Sequence, residues 1–308
     1  MLTLRQLQYL DALAQCGHFG RAAEQCSVTQ PALSMQIRDL EMELGAILIE
    51  RLPGGARLTE TGREVAERAA QVLIDVQDLK DFAKHRREVL SGGLNLGVIP
   101  SIAPYLLPPL LPRLREVYPE VQLRIRESQT ERIVSELASG VLDVLLLALP
   151  VEDGDFETLH VFDDPFLLAT HREHTLSGKV SLSPEALGPH RMLLLEEGHC
   201  FRDQALAYCA LRKVNDIDTY GASTLATVVQ MVANGMGMTL LPEISLSLDG
   251  RDPHIAIHKL EDPVPSRQIG LVWRRSSPRQ ADFAALGELV REAHASLIAS
   301  TPFGDNGG

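Results

Sequence analysis

The spacing of apolar residues changes at Ser91-Gly92-Gly93, and that change limits the folds open to this chain more than any other feature. Before it, apolar residues recur mostly at helical intervals. Leu4, Leu7, Leu10, Leu13 and Ala14 form one stripe, Phe19 to Cys26 reads as a second short helix, and Leu33, Ile37, Leu40 and Leu44 share one face of a third. After it, short apolar runs read as strands: Leu94–Val98, Val121–Ile125, Val144–Leu147, Phe166–Ala169 (which starts a new unit), Met192–Leu195, Met238–Pro242 and Ile269–Trp273. Helical stretches separate them, and Ser101 is placed to cap the first. Repeated strand–helix–strand units imply mostly parallel sheets covered by helices. The expected fold is a helical N-terminal domain joined to an α/β domain of two subdomains, with the glycine pair as the hinge.

The N-terminal segment carries a recognisable pattern. Ser27-Val28 makes a tight turn, Thr29 suits a helix N-cap, and Pro31 is tolerated in the first turn behind it. On that third helix Pro31, Ser34, Met35 and Arg38 point away from the apolar face. Helix, tight turn, helix with a polar outer face is a helix-turn-helix signature. The helix would lie in the major groove of DNA, where Gln30 near its start can read an adenine edge with two hydrogen bonds. Leu48 to Thr61, with Pro53-Gly54-Gly55, reads as a two-stranded wing whose Arg51 and Arg57 can meet phosphates. Thr61-Gly62-Arg63-Glu64 reads as a capping box at the head of a helix running to about Leu90. Val65, Ala69, Val72, Val76, Leu79 and Ala83 alternate steps of four and three, the seam of a coiled-coil-like dimer contact, unless they pack on their own domain. The expected boundaries are residues 1–58 for a winged helix-turn-helix, 59–90 for a linker and dimerisation helix, and 91–301 for a regulatory domain. That domain divides into 92–163 plus 268–301 and 164–267, and 302–308 form a flexible tail.

A chain of 308 residues is too long for one compact core, and 45 % apolar with 23 % charged residues is the mix of a soluble globular protein. A formal net charge of −12 argues against a protein coated in nucleic acid and confines any DNA footprint to helix tips and the wing. The first residues lack a signal-peptide pattern, and no apolar run approaches the roughly 20 residues of a membrane span. A cytoplasmic location is expected, where a disulfide that forms is usually catalytic or redox-sensing. The ten histidines fall in no metal-ligand spacing, so neither metal nor cofactor is expected.

Four cysteines remain. Cys16 and Cys26 read as core residues of the helical region. Cys200 and Cys209 bracket a helical-looking stretch that follows the Met192–Leu195 strand and a turn at Gly198-His199. On a continuous helix nine residues span about 13 Å, on opposite faces. A disulfide needs Cα atoms roughly 4.4–6.8 Å apart. A helical form and a disulfide form would exclude one another, which is the geometry of a switch. Two cysteines in a helix are more often small buried apolar groups than a redox pair.

Phe19-Gly20-Arg21-Ala22-Ala23, Thr29-Gln30-Pro31-Ala32-Leu33-Ser34, Ile37-Arg38-Asp39-Leu40-Glu41, Leu44-Gly45 and Leu58-Thr59-Glu60-Thr61-Gly62 resemble the DNA-binding domain of the LysR-type transcriptional regulators. Gly198-His199-Cys200, Arg202-Asp203-Gln204-Ala205, Cys209, Ile99-Pro100-Ser101, Pro104-Tyr105-Leu106-Leu107-Pro108 and Ile269-Gly270-Leu271-Val272-Trp273-Arg274 resemble that family's peroxide-sensing branch. The resemblance covers nearly the whole chain. It implies an effector domain of two α/β subdomains built like a periplasmic binding protein. It implies Cys200 as peroxidatic and Cys209 as resolving cysteine, with Ser101, Thr130, His199, Asp203 and Arg267 around the sensing thiol. Ser101 stands where threonine is expected, and Thr219 where a histidine is.

Chemistry follows from those placements. A helix start and Arg267 would favour the thiolate that attacks peroxide, Ser101 and Thr130 would hold the oxygens, and Asp203 would move a proton or loosen the helix. The partners implied are double-stranded DNA, hydrogen peroxide as effector, further copies of the chain as dimer and tetramer, RNA polymerase, and a thiol reductant such as glutaredoxin or thioredoxin. One alternative is a metabolite-responsive regulator with bystander cysteines, whose cleft Ser101, Thr130 and Ser223 would line. A thiol oxidoreductase is disfavoured by the helix-turn-helix and the lack of a Cys-x-x-Cys motif, so the chain is not expected to be an enzyme.

Overall fold

The structure is a computed structural model that describes residues 1–84, 89–151, 154–176, 181–183, 187, 190–211 and 217–300. The expected tail at 302–308 lies outside the described residues, as do the side chains of Ala83 and Thr219. Two compact units divide between Arg86 and Arg87.

The first unit holds α1 (Leu4–Cys16), α2 (Phe19–Gln25), α3 (Gln30–Leu44), the hairpin β1 (Ile49–Leu52) and β2 (Gly55–Leu58), and α4 (Glu60–Lys84). Thr3 and Gln6 close a reciprocal capping box at the start of α1. Leu10, Leu33, Ile37, Leu40 and Leu48 are fully buried in one core. Thr29 occupies the N-cap position of α3, but its side chain makes no capping hydrogen bond. The cap of α4 is Thr59 and not Thr61. Thr59 Oγ1 accepts from the Gly62 N–H at 2.8 Å and donates to the Ile47 carbonyl at 2.8 Å. Gly62 is pressed so close to Leu48 that a Cβ would sit 2.0 Å from its carbonyl oxygen. The heptad seam of α4 serves two ends. Val65 and Ala69 pack into the unit's own core, whereas Val72 and Leu79, joined by Phe82, stay exposed. Cys16 and Cys26 lie at the core margin, half-buried, with the Cys16 thiol donating to Gln25 Oε1 at 3.0 Å.

The second unit runs through β3 (Gly92–Val98), α5 (Ala103–Val117), β4 (Val121–Glu127), α6 (Thr130–Ala138), β5 (Val144–Leu149), β6 (Phe156–His171), β7 (Ser181–Leu182), β8 (Met192–Leu195), α7 (Cys200–Leu211), β9 (Ile217–Ala222), α8 (Leu225–Ala233), β10 (Thr239–Pro242), β11 (Ile255–Leu260), β12 (Ser266–Arg274) and α9 (Gln280–Ala299). Its main sheet is ordered β4-β3-β5-β12-β6-β11-β7, with β10 also beside β6, and β8-β9 pair separately. The βαβ units give the expected parallel pairs β3–β4, β3–β5 and β8–β9. Antiparallel pairing is added by two long strands, β6 and β12. The first half of β6 pairs with β12, and its second half with β10 and β11. Phe166 to Ala169 therefore continues a strand that began at Phe156 and does not open a new unit.

Gly92 and Gly93 are not a hinge. They are the first residues of β3, paired with Val121 and Gln122. Asp282 anchors the approach by accepting from the Leu90 N–H at 2.9 Å, and Arg279 donates to the Gly93 carbonyl at 2.8 Å. Ser101 does not cap α5, because its hydroxyl is engaged elsewhere, as described next.

Candidate functional site

Three loops at the carboxyl ends of parallel strands converge in the second unit. Ile99-Pro100-Ser101 follows β3, Gln129-Thr130 joins β4 to α6, and Gly198-His199 joins β8 to α7. They line one narrow crevice that also contains Cys200, the first residue of α7. Ligand sites of open α/β sheets sit at such strand ends, beside the strand where the chain reverses direction across the sheet; here that strand is β3. Gly198 has φ +94°, and a Cβ there would meet the Gln129 side chain at 2.8 Å, so only glycine lets this loop close on the α6 cap.

Arg267 is wholly buried behind this crevice. Its Nε donates to Asp164 Oδ2 at 2.9 Å, and Nη2 lies 2.8 Å from the same oxygen. Nη1 donates to Ser101 Oγ at 2.7 Å, and Nη2 to the Ser101 carbonyl at 3.1 Å. A guanidinium has only donors, so Ser101 Oγ is the acceptor of that bond and keeps its own proton to donate elsewhere. Arg267 was expected to supply a full charge to the thiol. Its charge is instead matched by Asp164, while its face covers the Phe201 ring at 5.3 Å. Thr130 Oγ1 is buried with no hydrogen-bond partner among the described residues. An orphaned buried hydroxyl costs stability and marks a place where a ligand can bind.

His199 is buried, and burial lowers its pKa, opposed by the Glu196 carboxylate; at neutral pH the imidazole is uncharged. Asp203 lies outside the crevice, with its side chain exposed and 3.5 Å from Arg202. That position does not suit a proton carrier at Cys200, although an acid in the first turn favours the helix. Cys209 is on the same continuous helix, buried, and burial pushes its thiol up to about 11. Sequence reasoning missed Asp164 and Gln129, whose Nε2 donates to the Glu197 carbonyl at 3.4 Å.

Beside the crevice, Ser101, Tyr105, His199, Ser223 and Asp249 border a separate cleft, closed at one side by the Tyr105 hydroxyl donating to Asp249 at 2.6 Å. Thr130 was expected in that cleft and does not line it.

In the first unit, Thr29, Gln30, Pro31, Met35 and Arg38 are exposed and Ser34 half-exposed along the outer side of α3. The wing arginines differ from one another. Arg51 donates to Ser34 Oγ at 3.0 Å and stacks over the Phe19 ring at 4.8 Å, so it belongs to the α3 surface. Arg57 is paired across the hairpin with Glu50 at 2.7 Å.

Residues 4–63 match the model of the bacterial regulatory helix-turn-helix protein, lysR family, and residues 87–295 that of the LysR substrate binding domain. The chain belongs to the LysR-type transcriptional regulators. A LysR-type helix-turn-helix is a DNA-binding element. Among curated relatives, the DNA-binding transcriptional dual regulator OxyR of Escherichia coli is 38 % identical over 290 residues, covering 94 % of this chain and 95 % of that protein. The HTH-type transcriptional regulator EstR of Acinetobacter baylyi is 37 % identical over 300 residues, covering 96 % and 98 %. A hydrogen-peroxide-bound OxyR variant from Corynebacterium glutamicum superposes with a TM-score of 0.69 at 33 % identity, covering 96 % and 94 %. Among the described residues no helix is long and apolar enough to cross a membrane.

Proposed function

We propose that this LysR-type regulator responds to hydrogen peroxide in the cytoplasm through Cys200 and Cys209. The observation that carries the reading is the crevice: a cysteine at a helix start faces a hydroxyl whose proton is free to donate, Ser101, and a hydroxyl with no partner, Thr130. A helix N-terminus favours the thiolate. The sulfur attacks one peroxide oxygen, the O–O bond breaks, and the departing hydroxide receives the Ser101 hydrogen bond and a proton. Thiol plus peroxide gives sulfenic acid plus water, and Cys209 then displaces a second water to form the disulfide. Closing it requires α7 to unwind, since the two cysteines are about 13 Å apart along the helix. That remodelling changes the surface of residues 91–301, taken as a regulatory domain with 92–163 plus 268–301 and 164–267 as its subdomains, and resets the paired DNA-binding domains of residues 1–58. Dimers form along 59–90 through the exposed Val72, Leu79 and Phe82, and pairs of dimers make a tetramer. RNA polymerase reads the result, and glutaredoxin or thioredoxin resets it.

The test is trapping. With Cys209→Ser, one equivalent of peroxide should leave a dimedone adduct on Cys200 alone, and Cys200→Ser should remove any effect of peroxide on DNA binding. Absence of the adduct, or a normal response from Cys200→Ser, contradicts the proposal. A second reading, a metabolite-responsive regulator, draws on the cleft at Tyr105 and Asp249. It predicts that a cleft ligand, and not peroxide, changes DNA binding.

A further inference from the structure

Asp164 is fully buried behind the crevice, and no step above uses it. It sits mid-strand in β6, in register with Arg267 of β12. One carboxylate oxygen receives two guanidinium nitrogens, and the other accepts the Ile244 N–H at 3.2 Å. Burial pushes this carboxyl up from the usual range, while the Arg267 charge and those hydrogen bonds pull it back. A buried guanidinium does not lose its proton, so its counter-ion must be an anion. Among the described residues Glu243, Tyr105 and His294 also interact with Asp164, but Asp164 is the carboxylate that touches Arg267.

We propose that Asp164 is a positioning residue for the thiol reaction: it locks Arg267 in the orientation that frees the Ser101 proton for the crevice, and it cancels the guanidinium charge felt by Cys200. The proposal rests on the peroxide reading of the crevice. Without Asp164, a Cys200 thiolate would become the anion available to Arg267, and the sulfur would react with electrophiles of any kind. With it, the sulfur depends on the helix start and on the two hydroxyls, which a hydrogen-bonding peroxide can use and a simple alkylating agent cannot. The pair also touches the segment that must remodel, since the guanidinium covers Phe201 and Phe201 packs edge-on against Phe166 at 5.0 Å.

The experiment uses the full chain with Cys16, Cys26 and Cys209 changed to Ser, so that Cys200 is the only thiol. Two rates are measured from pH 5 to 9: alkylation by iodoacetamide, which reads the thiolate, and sulfenic acid formation by hydrogen peroxide, which reads thiolate and donors together. Asp164→Asn keeps the shape and an acceptor oxygen but drops the charge. Its alkylation at pH 6 should rise about tenfold, and its peroxide rate relative to alkylation should fall about tenfold. Asp164→Glu should restore both towards the parent. A folded Asn variant with both parent rates overturns the proposal. If that variant does not fold, the uncharged pair Asp164→Asn with Arg267→Gln replaces it. That pair should keep the parent alkylation profile while its peroxide rate falls about tenfold, and a parent-like peroxide rate would overturn the proposal. If the parent itself forms no sulfenic acid, the peroxide reading fails, and the alkylation arm still decides whether Asp164 restrains the sulfur.

Discussion

Disulfide closure between Cys200 and Cys209 should be limited by opening of α7, and one exposed alanine tests this. Within the helix the Cys209 thiol is raised to about 11 by burial, so at pH 7 roughly one in 10⁴ molecules carries the thiolate. Opening returns it to an ordinary value near 8.5, at which about 3 % is thiolate. Opening is also needed for reach, because a helical span of about 13 Å must shrink to roughly 6 Å. Ala207 lies between the cysteines on the exposed side of α7. Ala207→Gly costs the helix about 0.9 kcal/mol without disturbing the core, which raises the open population about fivefold. Acid-quenched samples analysed by mass spectrometry would resolve sulfenic acid formation from closure. The first phase should be unchanged and the second about fivefold faster, while Ala207→Leu should leave both near the parent. A folded Ala207→Gly protein whose closure is unchanged or slower refutes the reasoning.

Thr130→Val should slow sulfenic acid formation about 10- to 100-fold in stopped flow. It should leave thermal stability equal or higher by up to about 1 kcal/mol, because the hydroxyl it removes is buried and unpaired. Glu50→Gln should free Arg57 from its cross-strand partner. DNA binding should tighten on any sequence, and the slope of log affinity against log salt, read by fluorescence anisotropy, should steepen by about one. Asp282→Ala removes the acceptor shared by the Leu90 N–H and Arg279. Urea unfolding should register a loss of about 1–3 kcal/mol, the cost of unsatisfied buried donors, because Arg279 keeps the Asp143 carboxylate 3.7 Å away.

The faces of α1 and α3 were legible because buried residues repeat at about 3.6 along them. Parallel strands such as β5 and β8 were legible because they are continuous apolar runs buried at nearly every position. β6 was not, because Asp163-Asp164-Pro165 interrupts its apolar run. The acid is tolerated there only through Arg267, about a hundred residues away, and local pattern carries no trace of that partner. A pair of acids, Asp163-Asp164, between the apolar runs at 161–162 and 166–169 was the available signal. Gly92-Gly93 read as a hinge because glycine is poor in strands, yet the ladder to β4 and the Asp282–Arg279 anchor override that preference. Thr59 and Thr61 compete for one cap with the same chemistry, and the close pass of Gly62 on Leu48 decides between them. The crevice was legible as a residue set through resemblance to a family, but its wiring was not. Sequence placed Arg267 against the thiol, whereas burial forces the cation onto Asp164 and Ser101. Asp203 follows helix position, and its carboxylate stays in water.

Peptide mapping of the full chain after brief exposure to stoichiometric hydrogen peroxide, with remaining thiols alkylated, tests the central claim most directly. The account predicts a Cys200–Cys209 cross-link with Cys16 and Cys26 alkylated. Alkylated Cys200 and Cys209 would contradict it.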